Sequence, residues 1–289
     1  MAGRKAIGSC PALRYVSLDA ENRDGQGFSA MTPAELIAPV TAPGGATDFG
    51  SLEAWSQGRT LYGGASALIA YTAAVRAFPD LPPLRAAQVA FVAPTSAQTE
   101  LRREIVRRGR NVTQVRSEIW CEGQCTLSAF FLFGSSRQTN AVYPAARVVD
   151  WPGPPEQAEE AMKGKVPGFL QDNFELRYAQ EERGPGERVV RRWARLTQRD
   201  GIDPVGEIIL LGDVLPPGAM RAMNRPGPIS SINWSFNLLT DTPATRQGWW
   251  LSENASQHAN GGYSSERLRL WNADGGQVTD GIQSVAIFG

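Results

Sequence analysis

Residue types able to carry nucleophilic, acid–base or metal chemistry are sparse in this chain. It holds one histidine and three cysteines, His258 and Cys10, Cys121 and Cys125. His258 stands in the polar stretch SENASQHANGG, with no acid partner at a useful spacing. The cysteines form neither a Cys-x-x-Cys pair nor a metal-type pattern, so they read as reduced thiols. A zinc site would have to be mostly carboxylate, and neither a metal nor a cofactor is expected. No Gly-x-Ser-x-Gly elbow, phosphate loop or dinucleotide fingerprint occurs. Two features remain. Asp213 lies in the apolar run EIILLGDVL, where desolvation would raise its pKa and make it a better base than a free carboxylate. Gly63 and Gly64 head another apolar run, where free backbone N–H groups meet the positive end of a helix dipole. Each has a plainer reading: Asp213, three residues before Pro216, also fits an exposed helix end, and paired glycines also serve tight packing.

The elements that must position these groups follow from the length and pattern of the chain. Its 289 residues suffice for roughly two domains, each with its own core. A hydrophobic fraction of 42% and a charged fraction of 20% are those of a globular protein. Basic and acidic residues balance at 29 each, so no general attraction to nucleic acid or anionic membrane is expected. No apolar run reaches the roughly 18 residues of a membrane span, and the first thirty residues lack the apolar centre of a secretory signal. A cytoplasmic protein is expected. Residues 1–30, rich in Gly, Arg and Ser, read as a flexible extension. Residues 138–168 carry Pro144, Pro152, Pro154, Pro155 and Pro167 and read as a linker between halves at 31–137 and 169–289.

The halves repeat one another. LRAAQVAFVAP (84–94) alternates around Phe91 as ISSINWSFNLL (229–239) does around Phe236, and both predict strands. RNVTQVRSEIWCEGQCT (110–126) and GGYSSERLRLWNADGGQVT (261–279) align Arg116 with Arg267, Trp120 with Trp271, Gln124 with Gln277 and Thr126 with Thr279. Upstream, GGASALIAYTAAVRAF (63–78) and DPVGEIILLGDVLPPG (203–218) predict buried helices, each stopped by a proline. FELRYA (174–179) and VVRRWARL (189–196) predict a strand pair joined through RGPG, with a weaker equivalent between residues 35 and 55. The order in each half is a strand pair, a helix and three or four further strands, an α+β arrangement with one helix against a mostly antiparallel sheet. When Phe91 is matched with Phe236 and Gln124 with Gln277, Ser231 falls opposite Ala86 and Gln283 opposite Phe130. Polar groups in the second half thus face apolar ones in the first.

From about residue 45 to the end, the sequence resembles the acyl-CoA thioesterase II type of the thioesterase-like superfamily. The resemblance rests on LYGGASALIA, FVAPTSAQTELRREIVRRGRNV, LLGDVLPP, WLSENASQHANGGYSSERLRLWNADGGQV and the final IQS, in that order. It implies two tandem hotdog folds, each a long helix wrapped by its sheet, hydrolysis of an acyl-CoA to free acid and CoA, and a homo-oligomer. It also implies a water held by an acid, a Thr or Ser, and a Gln. Carried over, these are Asp213, Ser231 and Gln283, with Ser230 as the alternative hydroxyl. The N–H groups at Gly63 and Gly64 would then receive the thioester oxyanion. The resemblance would allow the basic run LRREIVRRGR (101–110) near the coenzyme A phosphates, although such a run is more often solvated. Two other readings stand beside hydrolysis: a non-catalytic acyl or acyl-CoA binding protein, and a hotdog hydratase or dehydratase using His258.

Overall fold

The computed structural model of the chain describes residues 31–145, 147–148, 150–161, 167–180 and 188–288. The expected N-terminal extension, Cys10 and the RGPG turn lie outside the described residues. Alanine at every second or third position lets the helix α2 (Gly63–Ala77) bury nearly its whole circumference. Every residue from Gly64 to Ala74 is buried, because the small side chains admit close neighbours all round. Phe78 closes the helix ahead of Pro79. In the second half α4 (Pro204–Gly212) starts where the Asp203 carboxylate accepts from the N–H groups of Val205 and Gly206. The two helices pack on each other and on one face of a single sheet, α2 against β5 (Gln98–Arg108), β6 (Val112–Cys121) and β7 (Gln124–Gly134).

Among the described residues the sheet has 11 strands, all paired antiparallel. Its order is β1-β5-β6-β7-β4-β10-β13-β12-β11-β9-β8. Here β1 is Gly45–Asp48, β4 Leu84–Phe91, β8 Phe174–Tyr178, β9 Val189–Leu196, β10 Ile229–Leu238, β11 Trp250–Asn260, β12 Tyr263–Asn272 and β13 Gln277–Ile287. From the β4–β10 junction outward the first four strands read alike in both directions, β4-β7-β6-β5 and β10-β13-β12-β11, as the repeated sequence predicts. The tryptophan hairpins form as expected: Glu122 and Gly123 turn at φ 50° and 77°, the sign a two-residue primed turn requires. The second hairpin closes through a longer turn, held by Asn272 Oδ1 accepting from the N–H groups of Asp274 and Gly276.

One expectation fails. The stretch 35–55 forms no strand pair equivalent to β8–β9. It gives a short helix α1 (Pro33–Ile37), the edge strand β1, and a separate two-stranded ribbon of β2 (Ser56–Gln57) and β3 (Thr60–Leu61). Gly44, Gly45, Gly50 and Gly58, all at positive φ, break this run too often for a long ladder. The proline-rich seam, read as a linker, packs against the second half. Its described part lies on the outer face of the second half, where Trp151 meets Trp193 edge-on at 5.3 Å, and Val148 and Ala158 pack on a small core around Trp193, Trp249 and Trp271. Its end folds into α3 (Gly168–Asn173), which reaches the inner face.

Candidate active site

Asp213 is not inside α4 but caps it, at φ −114° and ψ 14°. Gly212 makes this possible: a Cβ there would lie 2.3 Å from Trp234 Cζ2, so only glycine lets the last turn rest on the indole. On one side of the carboxylate is Gln283 of β13, 2% exposed, whose Nε2 donates to Asp213 Oδ1 at 2.8 Å. On the other is Gly63, the first residue of α2, where a Cβ would stand 2.3 Å from Asp213 Oδ2. The acid therefore sits between the last strand of the second half and the first turn of the first-half helix. The α2 ladder begins with the Ser66 N–H to Tyr62 O, which leaves the N–H groups ahead of it outside the ladder.

Ser231 is paired with Val285 on β13, and Ser230 with Ala286. Directly opposed residues share a face and successive residues alternate, so Ser231 shares the face of Val285 and Gln283 and Ser230 the opposite one. Gly63, Asp213, Ser231 and Gln283 all line one cavity of about 420 Å³, walled elsewhere by groups such as Phe91, Leu127 and Phe169; Ser230 reaches the same wall. Gly64 does not, since the place its side chain would take is filled by the Tyr62 ring, 2.7 Å from an ideal Cβ. Nor does His258, exposed on β11. The basic run also lies elsewhere: Arg102 pairs with Glu100, Arg108 with Asp80, and Arg103 donates to the carbonyls of Thr41 and Ala42.

Burial pushes the Asp213 carboxyl up to about 7, against the smaller opposite pull of the Gln283 amide. A proton acceptor near neutrality is thus available without histidine. The same shift has a cost whose sign is fixed. The folded pKa lies above the unfolded one, so the protonated form is stabilised by folding, and stability falls as pH rises from about 4 through about 7. Asp213→Asn is expected to melt above the wild type at pH 8 by an amount on the order of 1–4 kcal/mol, and near it at pH 4. Thermal melts of both proteins at the two pH values check this; an Asn variant less stable at pH 8 would contradict it.

The asymmetry between halves survives, but its register changes. Both hairpins carry a bulge, at Thr126 between Ile119↔Leu127 and Trp120↔Cys125, and at Val278 between Leu270↔Thr279 and Trp271↔Gln277. Aligning the bulges matches Gln283 with Phe131, not Phe130. Phe131 is 1% exposed and faces the core as Gln283 does, whereas Phe130 lies on the outer face. The bulges of β4 and β10, at Arg85 and Ile232, likewise match Ser231 with Leu84 rather than Ala86. The match of Gln124 with Gln277 by type went astray because Gln277 pairs with Trp271 as Cys125, not Gln124, pairs with Trp120. Where the second half has Ser231 and Gln283, the first therefore has Leu84 and Phe131, both buried, with Tyr71 packed edge-on against Phe131 at 5.9 Å. Phe130→Gln, on the outer face, is expected to keep turnover within a few-fold. Phe131→Gln is expected to lower stability by about 3 kcal/mol or more. Equal melting temperatures for the two would refute the new register.

Two family models match the chain, described as acyl-CoA thioesterase N-terminal domain over residues 52–134 and acyl-CoA thioesterase C-terminal domain over residues 146–287. The chain belongs to the acyl-CoA thioesterase family. The enzyme hydrolyses acyl-CoA thioesters. No curated protein matches it by sequence. Among solved structures it is similar to a hot dog fold protein of unknown function from Alicyclobacillus acidocaldarius, at 19% identity and TM-score 0.73, over 91% of this chain and 99% of that one. It is also similar to the tesB protein of Mycobacterium avium subs paratuberculosis, at 19% identity and TM-score 0.66, over 79% and 88%. The acyl-CoA thioesterase II TesB2 of Mycobacterium marinum matches at 14% identity and TM-score 0.66, over 89% and 98%. These likenesses give the enzyme the hot dog fold. Among the described residues no helix is long and apolar enough to cross a membrane.

Proposed function

We propose that the enzyme cleaves its thioester with a water held between Asp213, Gln283 and Ser231, inside a tandem pair of hotdog units divided by the seam at 138–168. The observation that carries this reading is the contact of Gln283 Nε2 with Asp213 Oδ1 at 2.8 Å on the wall of the cavity. The amide fixes one carboxylate oxygen and leaves the other to accept from water. The water oxygen adds to the thioester carbonyl carbon while its proton passes to Asp213, and Ser231 and Gln283 hold its line of approach. The oxyanion is received at the positive end of α2 by the free N–H of Gly63, the one of the two glycines on the cavity wall. Collapse of the tetrahedral intermediate breaks the C–S bond, and the proton on Asp213 passes to the departing sulfur. The products are the free acid and coenzyme A.

The water-holding side chains are proposed for the second half alone, since the first carries Leu84 and Phe131 at the matching strand positions. The enzyme is further proposed to be a cytoplasmic homo-oligomer. A thiol-release assay over a panel of acyl-CoA chain lengths tests the chemistry. Thiol release by the wild type, abolished in Asp213→Asn, is expected; binding of every acyl-CoA without release would favour a non-catalytic binding protein.

A further inference from the structure

Tyr62 is 1% exposed and directly precedes Gly63 and Gly64. Its backbone caps α2, yet its side chain makes no bond to that helix. The ring instead folds back across the first turn, into space that a Cβ on Gly64 would occupy, and stacks on Phe169 at 4.7 Å. The hydroxyl reaches the other helix and donates to Leu210 O at 2.6 Å. That carbonyl is one the helix has abandoned: the N–H of Val214, which would continue the ladder to Leu210, goes to Leu211 O at 3.3 Å. The break in the ladder is what turns Asp213 out of α4. Burial, reinforced by the Asp213 charge, holds the phenol far above its usual pKa, so it remains a hydroxyl donor throughout the working range.

We infer that Tyr62 is a positioning residue, whose hydroxyl ties the last turn of α4 to the first turn of α2 and so sets the spacing between Asp213 and the N–H groups at Gly63. This rests on the proposal that Asp213 is the base. One tyrosine spans both groups because it belongs to the α2 turn by its backbone and to the α4 turn by its hydroxyl bond. Gly64 has a reason to be glycine in the same arrangement, since any side chain there would displace the ring. Without the hydroxyl, Leu210 O is a bare buried acceptor, and the turn carrying Asp213 is free to shift. A shift well under 1 Å suffices to impair attack geometry while the cavity still binds substrate.

The test uses Tyr62→Phe, which keeps the stacked ring and removes only the hydroxyl. Its kcat is expected to fall about 10-fold with KM within about twofold, and the double variant with Asp213→Asn is expected to be no slower than Asp213→Asn alone. Gly64→Ala, which pushes the ring aside, is expected to lower kcat similarly and to be non-additive with Tyr62→Phe. A lower melting temperature with unchanged kcat would reduce Tyr62 to a packing role and overturn the inference. A loss in Tyr62→Phe that multiplies fully with that of Asp213→Asn would also overturn it. If Asp213→Asn itself retains wild-type kcat, the fault lies with the proposed base rather than with Tyr62.

Discussion

Asp213→Asn is expected to lower kcat about 100- to 10,000-fold with little change in KM, the usual range for removal of a general base. The amide keeps the volume and can still bond Gln283, so the cavity and its binding surface persist while the proton acceptor is lost. For the wild type, kcat/KM is expected to rise with pH through an apparent value of about 7 and to level off above it, because only the carboxylate form accepts a proton. His258→Ala should be nearly silent, as that side chain is exposed on β11 and forms no part of the cavity wall. Steady-state thiol release across pH 5–9 decides the matter. An inactive His258→Ala beside an active Asp213→Asn would overturn the water mechanism and revive the dehydratase reading.

Gln283→Ala and Ser231→Ala are each expected to reduce turnover by about 10- to 1000-fold, the cost of one positioned polar group in a transition state. The larger loss should belong to Gln283, the direct partner of Asp213 Oδ1. Removing it also removes the one interaction that lowers the Asp213 pKa, so the alkaline plateau should begin at higher pH than in the wild type. Ser231→Ala should leave the pH profile in place, since no bond to the carboxylate is lost. Ser230→Ala separates the two hydroxyls: Ser230 opposes Ala286, on the face away from Gln283, and its loss should be small. A Ser230 variant worse than the Ser231 variant would reassign the hydroxyl by one residue.

Much of the architecture was legible because the signals were local and doubled. An alanine-rich run bounded by Gly63 and Pro79 has few alternatives to a buried helix, and Glu122-Gly123 between alternating residues specifies a tight hairpin. The candidate acid was visible because a charged residue in EIILLGDVL breaks an otherwise apolar run. What the sequence did not show has equally local causes. Between residues 35 and 55 the glycines at positive φ cut the strands short, and in the seam a few well-placed groups, Trp151 among them, were enough to hold the chain against the sheet. Register was the subtler loss. Gln277 pairs with Trp271 as Cys125 pairs with Trp120, so a match of Gln124 with Gln277 by type slips by one and turns every later side chain to the wrong face.

By itself, then, the sequence determined the repeated order of elements and an acid at the end of an apolar run, because periodicity, turn chemistry and burial preference act over a few residues; the serine and glutamine of the candidate site came from the resemblance. The tertiary structure decided which of those residues meet. Gln283 and Gly63 lie 70 and 150 positions from Asp213, and the three share a site only because α2 packs on α4 over the same sheet. Tyr62 shows the same division: LYGGAS announces a helix start, but nothing in it tells that the hydroxyl will find Leu210 across the helix pair. Such contacts depend on how two elements approach each other, a quantity that no stretch of either sequence contains alone.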